Sequence, residues 1–146
     1  GIEKLYLCGD TPKPPNAKIK KTSRSTEKNV TFNYQSDATA LITQLKASGA
    51  LIAALEITSS SIAISSDEFV QAIQQKRPVC LILGSENTGV SDTLLSLSDI
   101  SVHIPMYGNN SSMNIVSATS IACYEITRNM QSQVVQTLSK DKSKTQ

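Results

Sequence analysis

Two glycine-bounded polar loops contain the residues whose types and spacing could support chemistry. The first loop, residues 84–89, includes a carboxylic acid and directly follows the apolar run at residues 79–83. The second loop, residues 105–114, separates the apolar run at residues 100–104 from an apolar segment with helical spacing. Such loops leave backbone N–H and C=O groups free to hydrogen-bond the edge of a flat heterocycle such as adenine. We therefore expect both loops to contact one ligand.

Neither loop matches a standard nucleotide-binding signature. Gly84 and Gly89 have the spacing of a P-loop and Ser91 has the place of its terminal serine, but Val90 stands where the phosphate-binding lysine belongs. The sequence also has no Gly-x-Gly-x-x-Gly motif after a first strand. The missing lysine thus disfavours nucleoside triphosphates as ligands, and the missing glycine motif disfavours dinucleotides.

Apolar runs of strand length alternate with helical patterns along most of the chain. The predicted strands cover residues 4–8, 50–56, 79–83 and 100–104. This alternation predicts an α/β fold with a mainly parallel sheet and helices on both faces. Both polar loops then follow strands at their carboxyl ends, which is where ligands bind in such sheets.

The predicted helices begin at polar residues that commonly cap helix N-termini, namely Asp37, Ser66 or Asp67, Ser91 and Asn114. Gly49 is expected to end the first of them and Pro78 the second. The apolar residues of the last helix predict its buried side, formed by Ile115, Ala118, Ile121 and Ala122.

The segment after the first predicted strand is rich in proline and lysine. Pro12, Pro14 and Pro15 predict an extended chain to about Lys28, followed by a short edge strand at residues 29–32. Six bases stand against one acid within residues 13–28, whereas the whole chain has a net charge of +2. This asymmetry predicts a basic face that binds phosphate groups, although a solvated loop has the same pattern. The bases are Lys13, Lys18, Lys20, Lys21, Arg24 and Lys28.

Composition predicts one globular domain. The chain has 146 residues, 39% of them hydrophobic, so we expect a single domain over residues 1–146 with a frayed polar tail at 131–146. Cys8, Cys80 and Cys123 lie far apart within apolar runs, which predicts neither a disulfide framework nor a metal site. The sequence has no apolar stretch of membrane length and no signal-peptide pattern. We expect a cytoplasmic protein.

The two polar loops together resemble the last two motifs of the SpoU (TrmH-like) RNA methyltransferases of the SPOUT class. The resemblance rests on Leu-Gly-Ser-Glu-Asn-Thr-Gly-Val-Ser at residues 83–91 and on Ile-Pro-Met-Tyr-Gly-x3-Ser-Met-Asn-Ile at residues 104–115. Residues 11–22 and 54–56 are also similar to segments between the family's motifs. The resemblance therefore covers essentially the whole chain.

The resemblance implies a parallel α/β domain whose C-terminal portion threads through a loop as a deep trefoil knot. It also implies a homodimer that binds S-adenosylmethionine at the knot. By analogy with the family, the cofactor contacts are Leu55, Leu83, Gly84, Gly89, Ile104, Met106, Ser112 and Met113.

The reaction that the resemblance implies is methyl transfer to a ribose 2′-hydroxyl of tRNA or rRNA. A neutral hydroxyl is a weak nucleophile, so it needs alignment with the methyl donor and a proton acceptor. In the family an arginine of an Asn-x4-Arg motif accepts the proton, while Glu86, Ser112 and Asn114 match the supporting catalytic positions. The arginine motif has no counterpart in this sequence, and we expect a strand and helix upstream of Gly1 to carry it. The 146 residues alone are then expected to bind cofactor but to turn over little.

Other interpretations of these residues are open at this point. A noncatalytic RNA-binding or cofactor-sensing dimer that has lost the arginine has the same motifs. Glu86 also has the position of an acid that caps the turn at Gly89, and Asn114 or Ser112 has that of a cap for the last helix. Histidine is a common general base, yet a lone residue such as His103 inside a strand is more often structural.

Overall fold

Strands and helices alternate in the computed structural model of the protein, which describes residues 2–23, 26–75, 78–108 and 112–142. The strands are β1 (Leu5–Cys8), β2 (Phe32–Gln35), β3 (Leu51–Leu55), β4 (Ile62–Ala63), β5 (Val79–Leu83) and β6 (Ile100–His103). The helices are α1 (Ala17–Ser23), α2 (Ala38–Ala47), α3 (Asp67–Gln75), α4 (Asp92–Leu97) and α5 (Ile115–Lys142), with a short 3-10 helix at Thr26–Lys28.

All pairings between these strands are parallel, as the alternation predicts. The main sheet has the order β4-β6-β3-β5, and β1 pairs with β2 in a separate two-stranded sheet. Strand β3 lies inside the main sheet and pairs with β5 on one side and with β6 on the other. Since these strands run in the same direction, the carboxyl ends of β3, β5 and β6 meet at one edge of the sheet.

Alternate side chains of β3 explain why helices cover both faces of the main sheet. Leu51 and Ala53 pack in a buried cluster with α3 and α5, whereas Ile52 and Ala54 pack in a second cluster with α2 and α4. Successive strand residues point to opposite faces, so an apolar strand builds two cores at once. The first cluster includes Phe69, a fully buried side chain. The predicted mixed α/β architecture is confirmed.

Helix α2 begins and ends where the sequence predicts. Asp37 caps it by accepting a hydrogen bond from Ala40 N at 3.0 Å. Leu41 and Ile42 bury its apolar side. Gly49 follows its last turn with φ of 92°, a left-handed conformation that favours glycine.

The structure contradicts the prediction of an extended chain between the prolines and Lys28. Residues Ala17–Ser23 form α1, because the prolines all precede this segment and cannot interrupt it. The Asn16 side chain caps α1 by accepting hydrogen bonds from Lys18 N at 2.9 Å and Ile19 N at 3.2 Å. A capping asparagine directly after prolines is therefore the helix start signal that the prediction overlooks.

The short strands also differ from the prediction. The edge strand lies at Phe32–Gln35 rather than at residues 29–32, and it pairs with β1. Strand β4 has no counterpart in the prediction, since Ile62 and Ala63 are too few to show a period of two.

Helix α5 extends through Lys142, so residues 131–142 of the tail that was predicted to fray have helical backbone. The fraying of this tail stays a prediction. Ala118, Ala122 and Ile126 form the buried side of α5. Ile121 is predicted to lie on the same side but is 41% exposed. The three buried residues follow one another at intervals of four along the helix, and Ile121 lies beside the stripe that they form. Among the described residues, no helix is long and apolar enough to cross a membrane.

Candidate functional site

A cleft of about 500 Å³ lies at the carboxyl edge of the main sheet, where the two polar loops meet. The end of β3, the loop after β5, the end of β6 and the start of α5 form its walls. The residues that line it are Leu55, Glu56, Ile57, Gly84, Ser85, Glu86, Gly89, His103, Ile104, Ser112, Met113, Asn114, Ile115 and Ala118. Residues of both loops line this one cleft; that they contact one ligand stays a prediction.

Backbone hydrogen bonds close the first loop on itself. Ser85 N donates to Gly89 O at 3.1 Å, and Gly89 N donates to Ser85 O at 3.0 Å. Thr88 N donates to the Ser85 hydroxyl at 3.1 Å. Gly84 lies so close to the backbone of Gly89 and Val90 that a Cβ atom there would overlap it. The loop therefore has a fixed shape that depends on glycine at this position.

The carboxylate of Glu56, one residue beyond β3, holds this loop against the sheet. Its Oε2 accepts a hydrogen bond from Val90 N at 2.8 Å, and its Oε1 accepts one from Ile57 N at 3.0 Å. Gly89, at φ of 65°, faces the same carboxylate, so a side chain at that position would overlap Glu56. Glu56 was expected only as the last residue of a predicted strand, with no role in the site. A carboxylic acid that ends an apolar strand was the available signal.

The three predicted catalytic residues, Glu86, Ser112 and Asn114, all line the cleft. Asn114 accepts hydrogen bonds from Val116 N at 2.9 Å and Ser117 N at 3.4 Å, which confirms that it caps α5. Glu86 and Ser112 are exposed. The interpretation of Glu86 as a capping acid is wrong, because the Ser91 side chain caps α4 and Glu56 accepts from Val90 N.

Most of the predicted cofactor contacts also line the cleft, namely Leu55, Gly84, Gly89, Ile104, Ser112 and Met113. Leu83 and Met106 are half-buried and are not among the lining residues. Leu83 is the last residue of β5 and pairs with Leu55 on β3. Met106 lies two residues beyond Ile104, after Pro105.

The predicted phosphate-binding bases lie outside the cleft. Lys18, Lys20 and Lys21 are exposed on α1, and Lys28 is exposed in the 3-10 helix. Lys13 is also exposed, with its Nζ 3.9 Å from the centre of the Tyr34 ring. The sixth predicted base, Arg24, lies outside the described residues.

One acid lies within this basic segment. The Ser23 hydroxyl donates a hydrogen bond to Glu27, and this bond lowers the pKa of the Glu27 carboxyl. Glu27 lines a second depression of about 530 Å³ together with Asn16, Lys20 and Lys28. The Glu27 carboxylate is ionised near neutral pH, and its lowered pKa extends the ionised range to more acidic solution, so it offsets part of the local positive charge.

His103 lines the cleft at the end of β6. Its backbone oxygen accepts a hydrogen bond from Ile64 N at 2.8 Å, and its Nδ1 lies 3.0 Å from the Ser61 hydroxyl. The backbone contact is structural, as the sequence analysis expects, but the ring is also part of the cleft wall. The sequence offered no signal for the partner Ser61.

The cysteines do not line the cleft. Cys8, Cys80 and Cys123 are free and half-buried. Burial raises the pKa of all three thiols. They are therefore protonated near neutral pH and are poor nucleophiles.

Curated relatives match part of this chain. A tRNA (guanosine(18)-2'-O)-methyltransferase of Escherichia coli (strain K12) is 31% identical over 90 residues, which are 62% of this chain and 37% of that enzyme. The 23S rRNA (guanosine(2553)-2'-O)-methyltransferase RlmP of Bacillus subtilis is 36% identical over 56 residues, which are 38% of this chain and 23% of that enzyme. The chain thus spans well under half the length of these relatives.

Solved structures share the fold. The A. aeolicus TrmH/SpoU tRNA modifying enzyme superposes with a TM-score of 0.75 at 24% identity, covering 89% of this chain and 62% of that one. An AdoMet-bound rRNA methyltransferase from Sinorhizobium meliloti gives a TM-score of 0.77 at 22% identity, covering 88% of this chain and 46% of that one. The model of the SpoU rRNA methylase family matches residues 1–124. The chain therefore belongs to the SpoU rRNA methylase family.

Proposed function

We propose that the protein is an S-adenosylmethionine-dependent methyltransferase that modifies a ribose 2′-hydroxyl of tRNA or rRNA. The observation that carries the proposal is the meeting of Glu86, Ser112 and Asn114 in one cleft with the glycine loop after β5. The relatives from E. coli and B. subtilis are named for 2'-O-methylation of tRNA and of 23S rRNA. One solved neighbour has AdoMet bound.

The cleft has the chemistry that this cofactor needs. Leu55, Ile104 and Met113 offer apolar contact to an adenine ring, and the backbone around Leu83 and Gly84 offers hydrogen bonds along its edge. We propose that Met106 acts through its backbone next to Ile104. Because Glu56 and the loop's own hydrogen bonds fix the loop, little conformational entropy is lost when the cofactor binds.

In the proposed reaction the cofactor supplies a methyl group on a positively charged sulfur. Glu86 and Ser112 are exposed at the mouth of the cleft and orient the acceptor ribose. Asn114 fixes the start of α5 and with it the second polar loop. The alignment of the hydroxyl with the methyl group is the contribution of these three residues.

We propose that the RNA backbone contacts the lysines of the N-terminal segment. Lys13, Lys18, Lys20, Lys21 and Lys28 are exposed, and long cationic side chains on a surface neutralise phosphates without a shaped pocket. Arg24 is proposed to take part on the basis of its place in the sequence.

We also propose a homodimer, in which α5 contributes to the interface. Val116 and Tyr124 are 69% and 67% exposed on the side of α5 that faces away from its buried residues, and a dimer would cover them. On the basis of the family resemblance, we propose that the chain beyond β6 forms a trefoil knot. A cytoplasmic location follows from the proposed substrates, tRNA and rRNA.

Methyl transfer from isotope-labelled S-adenosylmethionine to bulk tRNA or rRNA, measured with the full-length protein, tests the proposal. We expect label in the RNA at phosphodiester bonds that resist alkali, because a 2′-O-methyl group removes the nucleophile that alkaline cleavage needs. Glu86→Ala and Asn114→Ala are expected to lower the rate at least about tenfold while RNA binding is retained. RNA binding without any methyl transfer would support a noncatalytic dimer instead.

A further inference from the structure

His103 and Ser61 form a side-chain pair at the cleft that the proposed reaction leaves without a role. His103 lines the cleft at the end of β6. Ser61 belongs to the turn that starts at Thr58, between β3 and β4. The Ser61 hydroxyl lies 3.0 Å from Nδ1 of His103. The two residues are 42 positions apart in the sequence, so the fold alone brings them together.

The other hydrogen bonds of Ser61 favour one placement of the ring proton of His103. The Ser61 hydroxyl donates to Thr58 O at 3.0 Å and accepts from Thr58 N at 3.0 Å. A serine hydroxyl has one proton and two lone pairs. With the proton directed to Thr58 O, the second lone pair accepts a hydrogen bond from Nδ1–H of His103. The neutral ring then has an unprotonated Nε2, which is a hydrogen-bond acceptor.

Because Nδ1 is paired with Ser61 and His103 lines the cleft, Nε2 is the ring nitrogen left for contact with a bound molecule. The described residues provide no hydrogen bond to it, whereas both carboxylate oxygens of the neighbouring Glu56 already accept backbone N–H groups. S-adenosylmethionine has hydrogen-bond donors in its ribose hydroxyls and in its two amino groups. An acceptor held in a fixed orientation suits such a donor.

We propose that His103 binds the cofactor, with Nε2 accepting a hydrogen bond from one of its hydroxyl or amino groups. Ser61 is a positioning residue that keeps the ring in the Nδ1–H form. No proton is transferred in this contact. The inference rests on the proposed use of the cleft for S-adenosylmethionine.

The chain contains one histidine, so nitrogen NMR reports on this ring without ambiguity. In ¹⁵N-labelled protein at about pH 8, we expect Nδ1 to show the shift of a protonated nitrogen and Nε2 that of an unprotonated one. Saturation with S-adenosylhomocysteine, followed on the same sample by calorimetry, should move the Nε2 resonance toward the hydrogen-bonded range and leave Nδ1 almost unchanged.

Variants separate the contact from folding. His103→Leu is expected to weaken S-adenosylhomocysteine binding about fivefold, and His103→Gln, which retains an acceptor, to restore it within about twofold. Ser61→Ala should shift the ring toward the Nε2–H form. Ser59→Ala, at an exposed serine in the same turn, should leave the spectrum as it is.

A protonated Nε2 in the free protein would overturn the inference. Calorimetric saturation without a change at Nε2, or equal affinity of His103→Leu and the unmodified protein, would overturn it while the proposed function stands. If the unmodified protein shows no binding of S-adenosylhomocysteine at all, both proposals fail.

Discussion

Buried side chains are concentrated in one of two regions of the molecule. Among the residues whose burial the structure describes, the buried hydrophobic ones all lie between Leu41 and Ile126, in the main-sheet region (residues 38–130). The described part of the N-terminal region (residues 2–35), which contains β1, α1 and β2, has no fully buried residue. The cleft belongs to the main-sheet region, and the exposed lysines belong to the N-terminal region.

This difference reflects two kinds of binding. A cleft that recognises a ligand with backbone groups needs loops held to within a fraction of an ångström, and a packed core provides that rigidity. Phosphate contacts need positive charge at the end of a long side chain and tolerate a loosely packed support. Mutations can therefore perturb the cleft of the main-sheet region and the lysines of the N-terminal region separately.

The largest expected effect is on folding. Phe69→Ala removes a fully buried ring from the core of the main-sheet region and is expected to lower the free energy of unfolding by about 3–5 kcal/mol. Ile19→Ala, at a half-buried residue of α1, is expected to cost less than about 1.5 kcal/mol. Chemical denaturation followed by circular dichroism measures both. Equal losses would show that the N-terminal region contributes to the core after all.

The second effect is on cofactor binding. Gly84→Ala places a Cβ against the backbone of Gly89 and Val90, so the loop must move. We expect cofactor affinity measured by calorimetry to fall roughly 10- to 100-fold. Gly108→Ala is the matched control, because a Cβ there meets no atom of the described residues within 4 Å. A similar loss of affinity in both variants would mean that cofactor binding does not depend on the closed shape of the loop.

A third test concerns RNA binding. Replacing Lys18, Lys20 and Lys21 by glutamine removes three exposed charges from α1. RNA affinity should fall, and the slope of log affinity against log salt should decrease by about 2, since phosphate contacts release counterions. Cofactor affinity should not change, because none of these lysines lines the cleft. An unchanged salt slope would place the RNA contacts elsewhere.

The smallest expected effect is a pH-dependent change in the free energy of unfolding. Arg128 donates a hydrogen bond to Glu125 on α5 at 2.6 Å, which lowers the pKa of that carboxyl below its ordinary value of 4.5. The pair therefore stabilises the fold above about pH 4.5, and the contribution disappears as the pH falls through the lower, folded-state pKa. Glu125→Gln should lower stability by about 0.5 kcal/mol at neutral pH and leave it unchanged in acid.

Glu27 provides the comparison in the N-terminal region. Its pKa is also lowered, by the Ser23 hydroxyl, but Glu27→Gln should not shift the unfolding of the main-sheet region at either pH. Denaturation curves at about pH 7 and about pH 3 distinguish the two variants. If Glu27→Gln shifts the unfolding of the main-sheet region, the two regions unfold together.

The sequence predicts the main-sheet region well and the N-terminal region poorly, for the same physical reason. Strands such as β3 and β5 pack apolar side chains on both faces and appear as uninterrupted apolar runs. Helix α1 has no buried residue, so it leaves no apolar period. Its start depends on a single capping side chain, Asn16, whose signal the preceding prolines outweigh.

Within the site, the two loops were predictable and their supports were not. Glycines and polar residues at Gly84, Gly89 and Asn114 mark the loops because turns and caps demand particular residue types. Glu56 and Ser61 act through contacts with residues 34 and 42 positions away. Such pairs depend on how β3, β5 and β6 are ordered in the sheet, and no local pattern encodes that order.

The Glu56 carboxylate contributes both to the stability of the fold and to ligand binding, two properties that mutations usually affect separately. It ties β3 to the loop after β5 by accepting from Val90 N, and it lines the cleft. A ligand that binds the closed loop must therefore raise the melting temperature of the whole main-sheet region by mass action. Loss of this one carboxylate would lower both protein abundance and ligand response, so a variant at Glu56 would look like a folding defect in a cell although it alters the binding site directly.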